Sequence, residues 1–161
     1  MNKILFSTMC MLISVGCVNV TNASSTAVTA KDASGAKNTV MPLKALADQI
    51  NLAVGAAVET RHLENAALKE TLIREFSQIT PENEMKFMYL QPKRGQFDFS
   101  KADQLVEFAE QHDMVVKGHT LVWHMQTPQW LEDTKWSKKE LTEILEQHIK
   151  TVVGHYKGRV L

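Results

Sequence analysis

Apolar positions recur along the chain in two alternating patterns, one with helical spacing and one of short uncharged runs. Leu68, Leu72 and Phe76 return every fourth residue with charged residues between them, which predicts an amphipathic helix over residues 64–76. Residues 51–58 form an uncharged run with small side chains, which is typical of a strand covered on both faces. The first half of the chain is therefore predicted to alternate strand and helix.

The alternation continues to the end of the sequence. The other predicted elements are a short helix at 43–47, strands at 77–80 and 114–122, helices at 100–112 and from 137 to about 156, and the start of a strand at 160–161. Ser100 with Asp103, and Ser137 with Glu140, have the spacing of helix-capping pairs. The last two helices have predicted apolar stripes, Ala102, Leu105, Val106 and Ala109 in the first and Leu141, Ile144, Leu145, Ile149, Val152 and Tyr156 in the second. Strict alternation of this kind predicts an α/β fold on a parallel sheet, with about three βα units and the first residues of a fourth strand.

The N-terminal composition is different and predicts export. A lysine followed by a long apolar run and a cluster of small residues indicates that residues 1–23 are an export signal peptide. Residues 24–41 are rich in Ser, Thr, Ala, Gly and Lys and are predicted to be a flexible spacer before a domain at 42–161. We expect a secreted or periplasmic protein. An alternative is a lipoprotein signal that ends before Cys17, which would anchor the protein to the outer membrane or cell surface.

Charge and cysteine content exclude several classes of function. Eighteen basic and eighteen acidic residues cancel, so the sequence gives no electrostatic reason to expect nucleic acid or, unless Cys17 is lipidated, a membrane partner. Both cysteines, Cys10 and Cys17, lie in the predicted signal, so cysteine chemistry is not expected in the domain. His119 and His124 are five residues apart, a spacing that suits no metal pair, and we expect neither a metal nor a cofactor.

Polar residues gather where the second predicted strand ends. Glu82, Asn83 and Lys86 place a carboxylate, an amide and a cation at the C-terminal edge of the sheet, where barrel enzymes build their sites. Such groups can bind adjacent sugar hydroxyls through charge-assisted hydrogen bonds. The alternative interpretation is structural: Glu82 and Glu84 favour the start of a helical turn, and Lys86 pairs with them.

A second group of candidates follows the third predicted strand. His119 lies in the second half of that strand, Trp123 directly follows it, and Gln126 lies in the loop beyond. An indole beside polar residues can form the wall of a sugar site, because sugar rings present apolar C–H faces, but Trp123 can equally fill the core. Trp130, farther along the same loop, is at least as well explained as a structural anchor.

Four ordered motifs resemble glycoside hydrolase family 10, the endo-1,4-β-xylanases. They are Thr-Pro-Glu-Asn-Glu-Met-Lys at 80–86, Arg-Gly-Gln-Phe-Asp-Phe at 94–99, Gly-His-Thr-Leu-Val-Trp-His at 118–124, and Gln126 with Pro128 and Trp130. Phe87 departs from the pattern, since many family members have tryptophan there. The resemblance implies the N-terminal part of a (β/α)8 TIM barrel.

The resemblance also implies a reaction and a role for each candidate. Family members hydrolyse internal β-1,4 bonds of xylan with retention, through an acid/base glutamate and a nucleophilic glutamate. Both would fall beyond Leu161, so no catalytic residue is expected within this sequence. Glu82, Asn83 and Lys86 resemble residues that bind the sugar on the non-reducing side of the cleaved bond. The residues resembling those around the sugar at the cleavage point are His119, Trp123 and Gln126.

The expected partner is therefore xylan or a xylo-oligosaccharide. Because a full barrel needs about 250 residues, we expect the 161-residue chain to represent part of such an enzyme and to be inactive alone. A non-catalytic, sugar-binding or inactive remnant of such an enzyme is the alternative.

Overall fold

A three-stranded parallel sheet in the order β1–β2–β3 organises the fold. The computed structural model describes residues 41–161, so the predicted export signal, Cys17 and nearly all of the predicted spacer lie outside the described residues. The helices are α1 Leu43–Asp48, α2 Ala66–Glu75, α3 Phe87–Leu90, α4 Ser100–Gln111, α5 Gln129–Glu132 and α6 Lys138–His155; the strands are β1 Gly55–Val58, β2 Gln78–Pro81 and β3 Val115–Val116; and Thr60–Glu64 is a 3₁₀ helix.

The sheet confirms the predicted strand–helix alternation. Ile79 in the central strand pairs with Ala56 on one side and with Val116 on the other, both in parallel register. Val160 forms a parallel bridge to Val116, and the Leu161 N–H donates to the Val116 carbonyl at 2.9 Å. Residues 160–161 therefore begin a fourth strand beside β3, as the sequence predicts.

Strand β3 is much shorter than the predicted strand at 114–122. Its last hydrogen bond to β2 runs from the Lys117 N–H to the Ile79 carbonyl at 2.9 Å. In this parallel register the next bond would need an N–H from Pro81, which proline lacks. The ladder ends there, and residues 118–124 form a loop instead of a strand.

Strand β1 also starts later than predicted. Residues 49–51 form a turn after α1, in which the Leu52 N–H donates to the Ala47 carbonyl at 3.0 Å. Asn51 has a positive φ of 54°, a conformation that asparagine tolerates better than most residues. The chain becomes extended and paired only from Gly55.

The core lies between the sheet and helix α4. The predicted apolar stripe of α4 is confirmed, because Ala102, Leu105, Val106 and Ala109 are all buried. Ile79 of β2 has no exposed surface and belongs to the same cluster. Burying one such aliphatic side chain contributes roughly 1.5–3 kcal/mol, so this helix is the main support of the sheet on that face.

Helix α6 buries a face that differs from the predicted stripe. Ile144, His148, Val152 and Tyr156 are buried at four-residue spacing, whereas Leu141 and Ile149 are exposed. A histidine therefore occupies a core position that the apolar pattern assigned to its neighbour Ile149.

The two predicted helix caps have different outcomes. The Ser137–Glu140 capping box of α6 is confirmed, with the Ser137 hydroxyl 2.7 Å from the Glu140 carboxylate. Ser100 is not the cap of α4 but its first residue, and the Asp98 carboxylate accepts from the Ser100 N–H at 2.9 Å and from its hydroxyl at 2.6 Å. An acceptor two residues earlier thus replaces the predicted one, because Phe99 at the cap position has no polar side chain.

A cavity of about 380 Å³ lies between the end of α6 and the bridge from β3 to Val160, and its lining includes Met85, His119, Val152, Tyr156 and Leu161. Among residues 41–161, none of the helices has the length and apolar character needed to cross a bilayer.

Candidate functional site

The C-terminal ends of the strands place the candidate polar residues on one edge of the sheet. Glu59 follows β1, Glu82 follows β2, and His119 comes shortly after β3. The Glu82 N–H donates to the Val58 carbonyl at 2.9 Å, so the two strand ends stay paired to the last residue. Because parallel strands end at the same edge, the polar side chains that follow them converge there.

Asn83, Lys86 and Trp123 form the centre of this edge. The Lys86 ammonium donates to the Asn83 amide oxygen at 2.9 Å and lies 5.0 Å from the centroid of the Trp123 ring. Lys86 is only 7% exposed, whereas Trp123 is 39% exposed. Asn83 and Lys86 belong to one predicted group and Trp123 to the other, and the structure brings the two groups into contact through Lys86.

Glu59 extends the cluster and is absent from the sequence-based candidates. Its carboxylate accepts from the Asn83 amide nitrogen at 2.6 Å and forms an ion pair with Arg61. The Arg61 guanidinium, together with the Asn83 amide, lowers the pKa of Glu59 below its ordinary value, against the opposing effect of burial. Glu59 directly follows the predicted strand at 51–58, and a polar residue just after a strand is the signal that could have identified it, as it identifies Glu82.

Glu84 has a different partner from the one that the structural alternative assigned to it. Its carboxylate is buried and accepts from the Thr60 N–H at 2.7 Å and from the Asn83 N–H at 3.2 Å. Lys86 donates to the Asn83 side chain instead. The expected pairing of Lys86 with Glu84 is therefore wrong. Glu84 joins the end of β2 to the 3₁₀ helix after β1.

The loop that carries Trp123 and Gln126 is held by backbone hydrogen bonds. The Gln126 N–H donates to the Trp123 carbonyl at 3.1 Å, and the Gln126 carbonyl accepts from the Met88 N–H at 3.4 Å. Within residues 41–161 the buried amide oxygen of Gln126 has no hydrogen-bond partner. An acceptor in this state favours a ligand that brings a donor, such as a sugar hydroxyl.

His148 supports the same loop from helix α6. Its Nε2 lies 3.0 Å from the Leu121 carbonyl oxygen, and its Nδ1 lies 3.1 Å from the Gln91 side-chain oxygen. Its ring stacks on the Phe87 ring with 3.7 Å between the ring centroids. Burial lowers its pKa from 6.5 to about 4, so the ring is neutral at neutral pH. The sequence signal that could have identified His148 as a buried residue is its four-residue spacing from Ile144 and Val152. Phe87, which departs from the family pattern, thus packs against the residue that holds the loop.

The remaining candidates lie at the edge without joining the central contacts. Glu82 and His119 are exposed. Trp130 is an anchor, since its indole N–H donates to the Gln91 carbonyl at 3.0 Å and its ring meets Phe87 edge-on at 6.1 Å. In the part of the chain that the structure describes, no three His, Cys, Asp or Glu side chains are grouped as a metal site would need.

The arrangement suits the binding of a neutral, hydroxyl-rich ligand. A partly exposed indole face offers an apolar surface, and an ammonium, an amide and carboxylates beside it offer both donors and acceptors.

Comparison with known proteins gives a consistent result. The family model for glycosyl hydrolase family 10 matches residues 42–161. Endo-1,4-beta-xylanase B of Thermotoga neapolitana is 46% identical over 123 residues, which cover 74% of this chain and 36% of that protein. Beta-1,4-xylanase of Dictyoglomus thermophilum is 47% identical over 107 residues, which cover 66% of this chain and 29% of that protein.

Solved structures agree with the sequence relatives. The structure of xylanase 10B from Thermotoga petrophila RKU-1 in complex with xylobiose matches with a TM-score of 0.71 and 44% identity, over 74% of this chain and 37% of that one. The structure of xylanase XynB from Paenibacillus barcinonensis, complexed with a conduramine derivative, matches with a TM-score of 0.70 and 36% identity. The match covers 76% of this chain and 38% of that one. The chain thus spans between 29% and 38% of the length of these relatives.

Proposed function

The chain belongs to glycosyl hydrolase family 10, whose members are (β/α)8 barrels, and on that premise we propose that it supplies the sugar-binding edge of a retaining endo-1,4-β-xylanase. Residues 42–161 form an N-terminal part of such a barrel. The observation that carries the proposal is the contact of Asn83, Lys86 and Trp123 at the C-terminal edge of the sheet.

The substrate we propose is xylan or a xylo-oligosaccharide. Solved relatives include a xylanase in complex with xylobiose and a mutant protein in complex with xylotriose. The candidate edge fits such a ligand because its donors and acceptors match hydroxyl groups and its indole face matches the C–H face of a sugar ring. The balanced charge of the chain, eighteen basic against eighteen acidic residues, suits a neutral polymer.

Each candidate has a proposed role in binding. Glu82, Asn83 and Lys86 bind hydroxyls of the sugar on the non-reducing side of the cleaved bond. At the cleavage point, Trp123 packs against the sugar ring while His119 and the buried amide oxygen of Gln126 bind its hydroxyls. Asn83 is held by Glu59 and Lys86, and the Gln126 backbone is bonded to its neighbours, so this part of the edge needs little reorganisation to bind a sugar.

Hydrolysis itself needs two carboxyl groups about 5–5.5 Å apart, one acting as acid and then base and the other as nucleophile. The resemblance places both glutamates beyond Leu161. The residues of this chain bind and orient the sugar so that those carboxyl groups can act on it.

A second candidate function is sugar binding without hydrolysis. It is favoured by the fact that the contacts of Asn83, Lys86 and Trp123 form entirely within the described residues. The continuation of the reading frame separates the two candidates: a frame that runs through an Asn-Glu strand to a second glutamate supports the enzyme, and a stop codon after Leu161 supports the binding remnant.

Export remains part of the proposal. The sequence of residues 1–23 supports secretion or a periplasmic location, and lipidation of Cys17 is the alternative. Mass spectrometry of the mature N-terminus separates a chain cut near Ala23 from one that begins at a lipidated Cys17.

The proposed activity is tested with protein expressed from the complete reading frame that encodes these residues. We expect release of xylo-oligosaccharides from linear β-1,4-xylan, and a Glu82→Ala variant that hydrolyses xylan at least tenfold less efficiently. Glu107→Ala is the matched control, because Glu107 is an exposed carboxylate on the outer helix α4. A wild-type protein that leaves xylan intact refutes the proposed activity.

A further inference from the structure

We propose that Glu59 is a positioning residue that orients Asn83, and through it Lys86, for binding the sugar on the non-reducing side. The inference rests on the proposed function and deepens it, because it identifies a residue that neither the motifs nor the family resemblance selected.

The orientation of the Asn83 amide depends on Glu59. A carboxylate only accepts hydrogen bonds, so Glu59 Oε1, at 2.6 Å, must face the amide NH₂ group. The amide oxygen then faces the other way, where the Lys86 ammonium donates to it at 2.9 Å. If the amide turned over, its NH₂ group would face the ammonium and two donors would meet. Glu59 therefore selects the one orientation in which Asn83 can hold Lys86.

Glu59 is itself fixed in place and kept ionised. Arg61 donates to its second carboxylate oxygen, and the Glu59 N–H donates to His62 Nδ1 at 3.1 Å. Arg61 and the Asn83 amide lower the pKa of Glu59 below its ordinary value, which favours the ionised carboxylate that accepts from Asn83. The Glu59 side chain is 17% exposed and the Arg61 side chain 71% exposed, so the pair lies at the open edge of the sheet, away from the apolar core.

The consequence is a chain of contacts that ends at the proposed sugar site. It runs from Arg61 through Glu59, Asn83 and Lys86 to the Trp123 ring, and links the ends of all three strands. Removing Glu59 leaves Asn83 and Lys86 present but releases the amide that sets their positions.

The test uses protein expressed from the complete reading frame and compares its kcat/KM on two substrates. An aryl β-xylobioside places a sugar where Asn83 and Lys86 bind, whereas an aryl β-xyloside places its one sugar at the cleavage point. We expect Glu59→Ala to lower kcat/KM for the xylobioside about tenfold, mainly through KM, which corresponds to the loss of one charge-assisted hydrogen bond. For the xyloside we expect a change of less than about twofold. A Glu59→Gln variant keeps an amide oxygen that can accept from Asn83, and we expect it to recover most of the lost activity.

Two further variants separate positioning from simple loss of stability. Glu110→Ala breaks another Glu–Arg pair, with Arg159 at 2.7 and 2.8 Å, near the end of α4 at the opposite edge of the sheet, and should leave the ratio of the two substrates unchanged. The double variant Glu59→Ala/Asn83→Ala should lose little more xylobioside activity than Asn83→Ala alone, because both changes remove the same contact.

Equal losses on both substrates, or additive losses in the double variant, overturn the positioning role while the xylanase activity stands. A wild-type protein that cleaves neither substrate overturns the proposed function and this inference with it.

Discussion

The Lys86 ammonium lies 5.0 Å from the centroid of the Trp123 ring and joins the turn after β2 to the loop after β3. A cation held against an indole face gains about 0.5–2 kcal/mol, depending on how far it is removed from water. Lys86 is almost fully buried, so this contact and its bond to Asn83 take the place of hydration. Two segments that are far apart in the sequence thus form one surface.

Replacing the ammonium should therefore weaken sugar binding without unfolding the protein. Lys86→Met keeps the length of the side chain but removes its charge, its bond to Asn83 and its attraction to Trp123. We expect kcat/KM on a xylo-oligosaccharide to fall by about 10- to 100-fold, the effect of losing one or two charge-assisted hydrogen bonds. The melting temperature should change little, since the loss of the contacts with Asn83 and Trp123 is offset by the removal of a desolvated charge.

Lys69→Met is the matched control for Lys86→Met. The Lys69 ammonium also lies over an aromatic ring, 5.7 Å from the centroid of Phe108, but this pair joins the outer helices α2 and α4. We expect unchanged kinetics. Activity of Lys86→Met within twofold of the wild type would show that the ammonium does not take part in binding.

Two glutamines, Gln126 with its buried amide oxygen and the buried Gln91, should respond to the same substitution in opposite ways. The Gln126 amide oxygen is buried without a partner in the described part of the chain, so Gln126→Met should raise stability by about 1 kcal/mol while weakening sugar binding. The Gln91 side chain lies 3.1 Å from His148, so Gln91→Met should lower stability by about 1–3 kcal/mol. Thermal melts with and without xylotriose measure both effects. A destabilised Gln126→Met with unchanged binding contradicts the assignment.

Stability should depend on pH through His148. Its pKa falls from 6.5 to about 4 in the folded protein because of burial, so the unfolded chain binds more protons between these values. Stability is thus complete above pH 6.5 and is lost as the pH falls toward 4, by up to about 3 kcal/mol. His148→Asn should be less stable than the wild type at pH 7 and lose less stability on acidification. The measurement is the free energy of unfolding of both proteins at a series of pH values from 7 to 4. An equal loss of stability in the two proteins over this range would exclude this role.

Much of the fold follows from the sequence because its elements depend on local patterns. The α4 stripe and the Ser137–Glu140 capping box involve neighbouring residues, and both are confirmed. The predicted length of the third strand is wrong because its limit is a proline in the strand beside it. The burial of His148 was not predicted, because histidine is a polar residue type and its buried partners, Leu121 and Gln91, are known only from the structure.

The candidate site was predicted as a set of residues but not as a set of contacts. Motif order placed Asn83, Lys86 and Trp123 at one edge, and the structure shows that they touch. Glu59 lies outside those motifs, and its bond to Asn83 depends on the pairing of β1 with β2, which no local pattern encodes.

The start of helix α4 gives a direct test of one difference between the predicted and the observed structure, the residue that caps the helix. Asp98, which was not predicted to act as a cap, accepts both hydrogen bonds from Ser100. Asp98→Ala should therefore cost about 1 kcal/mol, as the loss of a helix cap does. Ser100→Ala should cost less, because the bond from its N–H to Asp98 survives. Urea denaturation ranks the two variants, and the opposite order would restore Ser100 as the cap.

The most direct test of the account follows the anomeric configuration of the product. Protein from the complete reading frame is mixed with xylotetraose, and proton NMR records the newly formed reducing ends within the first minutes. A retaining mechanism through two glutamates predicts that the β-anomer appears first and then mutarotates toward equilibrium. Initial release of the α-anomer, or binding of xylotetraose without any cleavage, would contradict the claim that this edge belongs to a retaining xylanase.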